Sequence, residues 1–292
     1  MYSCWKKISI ILIFFILGVF LFDLTALEAA TLRLDQTKIR ITAGPGQAKN
    51  GVIHVDNPTD RVVHVKVYPE DWRYASARDG TKEFNLADST SFSCAGWISF
   101  FPSEFDVGPF GRQTVNYTVK IPSDAAGGHY AVLFFESMLG DAGRQEGVGM
   151  NLLVRLGVIF YVEPEGAIKR QALISGLDFT KTKDGFLNIL ADFKNTGNVD
   201  LFCGSTYNII DKQGKVYARG AFNDAYTLPG DDAKLTGTWS GAIPDGVYDM
   251  VLTFDLSKVP GQEGALAGMV ITKEAQIKVT ADGQVSKIGE LN

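Results

Sequence analysis

Cysteine and histidine are scarce in this chain, with three of each in 292 residues. That scarcity leaves little for a disulfide framework, a metal centre or an imidazole-based active site. Cys4 sits near the start, so only Cys94 and Cys203 lie in the body of the chain, far apart. They read either as two buried thiols or as one bridge between the two halves. His54 and His64 fall on neighbouring expected strands, on the faces opposite the valines, and could approach across a hairpin. No third ligand is spaced near them. Asp231-Asp232 follows Leu228-Pro229-Gly230 in a turn, without the alternating oxygen ligands of a calcium loop. No phosphate loop, zinc signature or nucleophile elbow is present. The chain therefore reads as a non-enzyme without cofactor or metal. Basic residues are also in deficit, 28 against 33 acidic, for a formal net charge of −5. With no basic stripe to neutralise phosphates, nucleic acid is excluded as an expected partner.

Long apolar runs are missing too, except at the start. Lys6 and Lys7 precede the uncharged run Ile8–Phe22, and Leu27-Glu28-Ala29-Ala30 ends it with small residues. This is the layout of a secretory signal peptide over residues 1–29. The run is shorter than the ~20 residues a membrane span needs. Cys4 precedes the run, which does not support a lipoprotein anchor. The expectation is export to the periplasm, with no membrane span in the mature chain. Removal of the leader takes two lysines and two acids, so the charge of −5 is unchanged.

Helical periodicity is absent from Thr31 onward. Ile53 and Val55, then Val63, Val65 and Val67, then Val115, Tyr117, Val119 and Ile121, all recur with period two. That is the period of a half-buried strand, so the chain is read as all-β. Turn residues punctuate the runs: Asn57-Pro58-Thr59-Asp60, Asp79-Gly80, and Ser123 to Gly128. Glu163-Pro164-Glu165-Gly166-Ala167 breaks the pattern, and then the same grammar returns. Each half carries a strand ending in an Asn turn, Asn57 and Asn195. Each enters a late strand through Pro and then Gly-x-Tyr, Pro122 with Gly128 and Tyr130, Pro244 with Gly246 and Tyr248. About seven short strands per half is the pattern of an Ig-like sandwich, and Gly-x-Tyr fits either a tyrosine corner or a core tyrosine. The expected organisation is a first Ig-like domain over 30–163, a hinge at 164–168, a second over 169–281 and a polar tail at 282–292.

The cleanest signal runs from Gly147 to Val162. Val148, Met150, Leu152, Val154, Leu156, Val158, Phe160 and Val162 place an apolar residue at every even position. At about 3.3 Å per residue the stretch reaches roughly 50 Å, far beyond an ordinary strand. It is either a long core strand with a bulge at Gly157, or a strand whose apolar row is offered to a partner. The connection before it carries Gly140, Asp141, Gly143, Arg144 and Glu146, a flexible-loop composition.

In three places the chain resembles the periplasmic pilus-assembly chaperones (PapD-like). These are Leu34-Asp35-Gln36-Thr37-Lys38, the stretch Val115–Tyr130, and Met150-x-Leu152-x-Val154 followed by Phe160-Tyr161 and Pro164. The resemblance covers most of the mature chain. It implies two Ig-like domains and a long strand that lends alternating apolar side chains to an incomplete β-sandwich subunit. Met150, Leu152, Val154 and Leu156 would be the lent residues, and Lys38 the basic residue that holds a subunit carboxylate in the cleft. The family's second basic anchor would fall near Ile159, which is not basic. Arg155 lies four residues earlier on the same face, and Arg40 is a further basic residue on the first strand. An outer-membrane usher is the other implied partner. The alternative reading is a structural or adhesive Ig-like envelope protein whose long apolar row is its own core.

Overall fold

The computed structural model describes residues 32–139, 152–258 and 269–292. The expected leader, Met150 and most of the connection before the long strand lie outside the described residues. The first half contains β1 (Arg33–Leu34), β2 (Lys38–Ala43), β3 (Ala48–Asp56), β4 (Val63–Tyr74), β5 (Lys82–Leu86), β6 (Ile98–Phe101), β7 (Glu104–Val107), β8 (Arg112–Lys120), β9 (His129–Leu139) and β10 (Leu152–Pro164). The second contains β11 (Ala172–Lys181), β12 (Leu187–Asn195), β13 (Leu201–Ile210), β14 (Val216–Ala221), β15 (Ala225–Thr227), β16 (Asp232–Trp239), β17 (Gly246–Asp255), β18 (Val270–Val279) and β19 (Val285–Ile288). Among the described residues a single 3-10 turn, Ala95–Trp97, is the only helical element. No described helix is long and apolar enough to cross a membrane.

In the first half a sheet β1-β3-β8-β6 faces a sheet β2-β10-β9-β4-β5, with β7 also paired to β4. The alternation read from sequence explains the packing. Ile53, Val55, Val115 and Val119 point inward from one sheet, and Val65, Val67, Leu133, Phe135, Val158 and Phe160 from the other, all buried in one core. In the second half β11-β12-β16 faces β14-β13-β17-β18-β19. Ile189, Ala191, Phe193 and Leu235 meet Tyr207, Ile209, Met250, Leu252 and Phe254. The chain is thus all-β and built as two sandwiches, each closed by its own apolar layer.

Three expectations are corrected. No bulge occurs at Gly157, because β10 keeps unbroken register with β9 from Leu152↔Leu139 to Val162↔His129. The segment 282–292 is not merely a tail: β19 pairs with β18, and Leu291 packs against the second core. Its apolar residues are too few to alternate visibly, so only the partner strand reveals it. His54 and His64 do not meet across a hairpin. His54 lies on β3 beside Thr114 of the same sheet, whereas His64 lies on β4 in the opposite sheet, between Asp106 and Glu104. These carboxylates raise the His64 imidazole above its ordinary value, the Asp106 hydrogen bond contributing most.

The two Asn turns are built alike. Asn57 donates through Nδ2 to the carbonyl of Arg61 at 2.6 Å and accepts at Oδ1 from the amide of Thr59 at 2.9 Å. Asn195 donates to the carbonyl of Val199 at 2.9 Å and accepts from the amide of Gly197 at 3.0 Å. Each Nδ2 also reaches a carbonyl from a later strand, Val107 at 3.0 Å and Thr227 at 3.4 Å. Both side chains are buried, so each asparagine satisfies backbone groups that water cannot reach. The same offsets at both sites establish the internal repeat in geometry, not only in pattern.

A polar joint binds the sandwiches. Arg40 of β2 is ion-paired with Glu163, and its Nη2 lies 3.1 Å from Oδ2 of Asp200 in the other half. Glu163 also takes Arg170 at 2.5 Å, and the Arg40 guanidinium carbon sits 4.4 Å from the centroid of the Tyr161 ring. The Tyr130 hydroxyl accepts from the Asp200 amide at 2.6 Å. Burial, with the Asp200 charge adding to it, pushes the Tyr130 phenol well up, so it stays neutral. A second contact comes from the β4–β5 turn: Arg78 donates to Asp231 at 2.8 Å, and the Tyr226 amide donates to the Arg78 carbonyl at 2.8 Å. Between these two contacts Trp72, Tyr74, Tyr130 and Tyr161 form a third buried cluster.

Two measurements check this frame. Asn57→Ala and Asn195→Ala should each cost about 2–3 kcal/mol in urea unfolding, because each leaves buried carbonyls without donors. A cost under about 0.5 kcal/mol would mean that water replaces the amide. Asp200→Ala should cost about 3–5 kcal/mol, since it removes one carboxylate from a buried cationic group; Asp56→Ala, on an exposed ion-pair network, is the comparison and should cost under about 1 kcal/mol.

Candidate functional site

β10 is 13 residues long, while its parallel neighbour β2 has only six. Pairing between them begins at Ile159↔Lys38 and ends at Pro164↔Ala43. From Leu152 to Val158, β10 therefore has β9 on one side and, among the described residues, no strand on the other. The direction of its free groups follows from the paired part. The Ile159 amide donates to the Thr37 carbonyl at 2.9 Å, on the β2 side. Backbone groups alternate sides with period two, so Leu153, Arg155 and Gly157 present their N–H and C=O to the open side. A row of unpaired backbone groups on a sheet edge is a template for another strand.

The even side chains divide along the strand. Val158, Phe160 and Val162 are fully buried in the first core, whereas Leu156 is only partly covered and Val154 is half-buried. Thus the deep half of the row is this chain's own core, and the half beside the open edge is incompletely covered. On the other face Leu153 is 49% exposed, opposite Met138 of β9 at 58%.

Of the cationic candidates, Lys38 is exposed at the point where β2 takes over the edge. Its Nζ lies 5.9 Å from the centroid of the Tyr161 ring. Its register partner is Ile159, which packs against the aromatic cluster. Arg155 is not brought to Lys38: four residues separate their register positions, about 13 Å along a strand. Instead Arg155 pairs with Glu70 at 2.5 Å and lies over the Phe134 ring, 3.9 Å from its centroid. Gly157 makes that packing possible, because a Cβ there would stand 2.9 Å from Val132 and 3.2 Å from Phe134. Beside it the Tyr68 hydroxyl donates to Glu136, and the phenol is pushed up to about 12, by burial first and then by that carboxylate. Arg155 is therefore a fastener on the outer face of the sheet.

Sequence reasoning missed Lys82. It opens β5, and its Nζ lies 5.1 Å from the ring centroids of both Trp72 and Tyr74. The Trp72 and Tyr161 rings are in edge contact at 5.2 Å, so Lys82 and Lys38 stand over one aromatic floor. Lys82 is held below its ordinary value by burial and then by the like charge of Lys38. Nothing in the sequence links two lysines so far apart; only the sheet order does. Cys94 and Cys203 are free and buried in separate cores, the second with its thiol pushed up to about 12 by burial.

No protein-family model and no curated protein matches this chain. Solved structures similar to it include fimbrial chaperones. The class 5 fimbriae chaperone CfaA is 12% identical, with 85% of this chain and 99% of that one covered and a TM-score of 0.48. The Salmonella enterica SafA pilin in complex with the SafB chaperone gives 13%, 87%, 92% and 0.39 for the same quantities. The CsuC–CsuE chaperone–tip adhesion subunit pre-assembly complex from archaic chaperone-usher Csu pili of Acinetobacter baumannii gives 9%, 83%, 98% and 0.42. At these TM-scores none of the three decides what this chain does, and the two-sandwich fold rests on its own strand order and cores.

Proposed function

We propose that this chain is an exported, non-enzymatic chaperone-like protein that binds β-rich, pilin-like subunits by strand addition at the open edge of β10, for assembly of a surface fibre. The observation that carries the reading is the seven-residue stretch Leu152–Val158, paired on one side only among the described residues, with Val154 and Leu156 incompletely covered. Strand addition takes affinity from backbone pairing and selectivity from alternate side chains. Leu152, Val154 and Leu156, with Met150 beyond the described residues, are the side chains to be lent to the subunit. Arg155 supports β10 from behind through Glu70 and Phe134.

The position of β2 supports a direction. β2 runs parallel to β10 and begins at Lys38. An added strand occupying the same lane in the same direction would end at Lys38, with its carboxylate against that ammonium. Charge pairing at one end fixes register, which an open edge alone leaves loose. The periplasm is the compartment this reading implies, and an outer-membrane usher the further partner.

The second reading, an adhesive or structural envelope protein, is favoured by the complete burial of Val158, Phe160 and Val162 in the chain's own core. Co-expression with candidate β-rich, pilin-like subunits separates the two. Leu153→Pro removes one N–H from the open side and leaves the β9 ladder intact. Subunit recovery should fall at least tenfold, with the melting temperature within a few degrees of the parent. Leu152→Glu should do the same. Unchanged recovery with both variants would leave the adhesive reading standing.

A further inference from the structure

We propose that a groove between the two halves, at the β5 edge of the first-half sheet, binds a neutral oligosaccharide. The proposal does not depend on the strand-addition reading, because β5 lies at the opposite edge of that sheet from the open lane.

Where the β4–β5 turn meets the second half, a groove of about 620 Å³ opens, within the range of roughly 300–1,000 Å³ for small-ligand sites. Its first-half wall comes from β4, β5, the turn between them and the loop 90–92; its second-half wall comes from the turn 228–231. The four charged groups that line it cancel in pairs. Arg78 donates to Asp231 at 2.8 Å and to the carbonyls of Tyr74 at 3.1 Å and Asp232 at 3.3 Å, while Asp231 also accepts from the Leu228 amide at 2.9 Å. That pair is fully engaged. Arg73 directs both Nε and Nη2 to one oxygen of Glu83, Oε2, at 3.0 and 2.9 Å. A free acceptor, Oε1 of Glu83, therefore stands beside free N–H groups on Nη1 of Arg73. Among the described residues the hydroxyls of Ser76, Thr90 and Ser91 have no hydrogen-bond partner either.

The lining thus offers donors and acceptors side by side and no net charge. A vicinal diol matches it, since each hydroxyl both donates and accepts. An anion would meet the carboxylates of Glu83 and Asp231 and a cation the guanidiniums of Arg73 and Arg78, with no uncompensated partner for either. An apolar ligand would strip water from these groups without replacing its hydrogen bonds. Phe92 and Pro229, each partly buried, supply apolar faces for the C–H side of a sugar ring. The wall is also set in advance. Arg78 takes a φ of 55°, a left-handed conformation that a bulky residue holds only where its surroundings impose it. Its guanidinium contacts impose it here, together with the Tyr226 amide on its carbonyl at 2.8 Å and its own amide on the Ala75 carbonyl at 2.9 Å. Little ordering is left for the ligand to bring about.

The test follows amide resonances of the mature chain during titration with three trisaccharides: neutral tri-N-acetylglucosamine, cationic triglucosamine and anionic trigalacturonate. The neutral sugar should shift Ser76, Ser91 and Phe92 with a Kd of about 1 mM or below, and the charged sugars should bind at least about tenfold more weakly. Ser91→Trp, at an exposed position on the rim, should abolish the shifts at Ser76 and Phe92. Glu83→Gln should weaken the neutral sugar by about threefold and strengthen trigalacturonate, because Arg73 is then uncompensated. Melting temperatures of the variants equal to the parent separate lost binding from lost folding. No shift at the three residues with the neutral sugar at about 10 mM overturns the site. A charged sugar that binds as tightly as the neutral one overturns the ligand class. Neutral binding untouched by Ser91→Trp lies elsewhere on the molecule and overturns the groove.

Discussion

A mismatch of length governs this molecule: β10 runs for 13 residues beside a parallel neighbour of six. Had β2 begun seven residues earlier in register, the edge would be closed and the sandwich complete. Because it begins at Lys38, the sheet has one lane that is half occupied by the chain itself. The occupied half runs parallel to β10, and its first residue marks where the open edge stops. Burial of the even side chains follows the same division, complete at Val158, Phe160 and Val162 and partial at Val154 and Leu156.

An open lane is useful only if its surroundings hold still. Among the described residues β10 has no second neighbour over its exposed half, and on the outer face Phe134 lies across Gly157 with Arg155 over Phe134 and paired with Glu70. At the other end the strand passes directly into the interdomain joint through Tyr161 and Glu163. The rings of Trp72, Tyr74, Tyr130 and Tyr161 fill the corner between them. Aromatic packing of this kind gives large contact area with few rotatable bonds, which keeps the corner rigid.

Much of this was legible in the residues. Period two gave away the strands, and the even row of 147–162 could be recognised because alternation is local. The Asn turns were visible as well, since Asn57 and Asn195 act on residues two and four positions away. What stayed hidden depends on sheet order. His54 and His64 alternate identically in sequence and end in opposite sheets. Arg155 shares the face of the expected anchor position, but parity says nothing about the Glu70 that pairs with it from β4. Lys82 reaches the site only because β5 lies on the far side of β4, and β19 is a strand only because β18 offers an edge.

The two Gly-x-Tyr entries now carry different meanings. In the second half the Tyr248 hydroxyl donates to the Pro244 carbonyl at 2.9 Å, a corner fastened within its own sandwich. In the first half the equivalent Tyr130 hydroxyl turns outward to Asp200, and Gly128 is glycine because a Cβ would stand 2.2 Å from that oxygen. The tyrosine thus fastens a corner within one half and rivets the two halves together in the other. Cut apart, the first sandwich would expose a phenol that meets a neighbour and the second an aspartate that meets an arginine, so the halves, though alike, are not interchangeable.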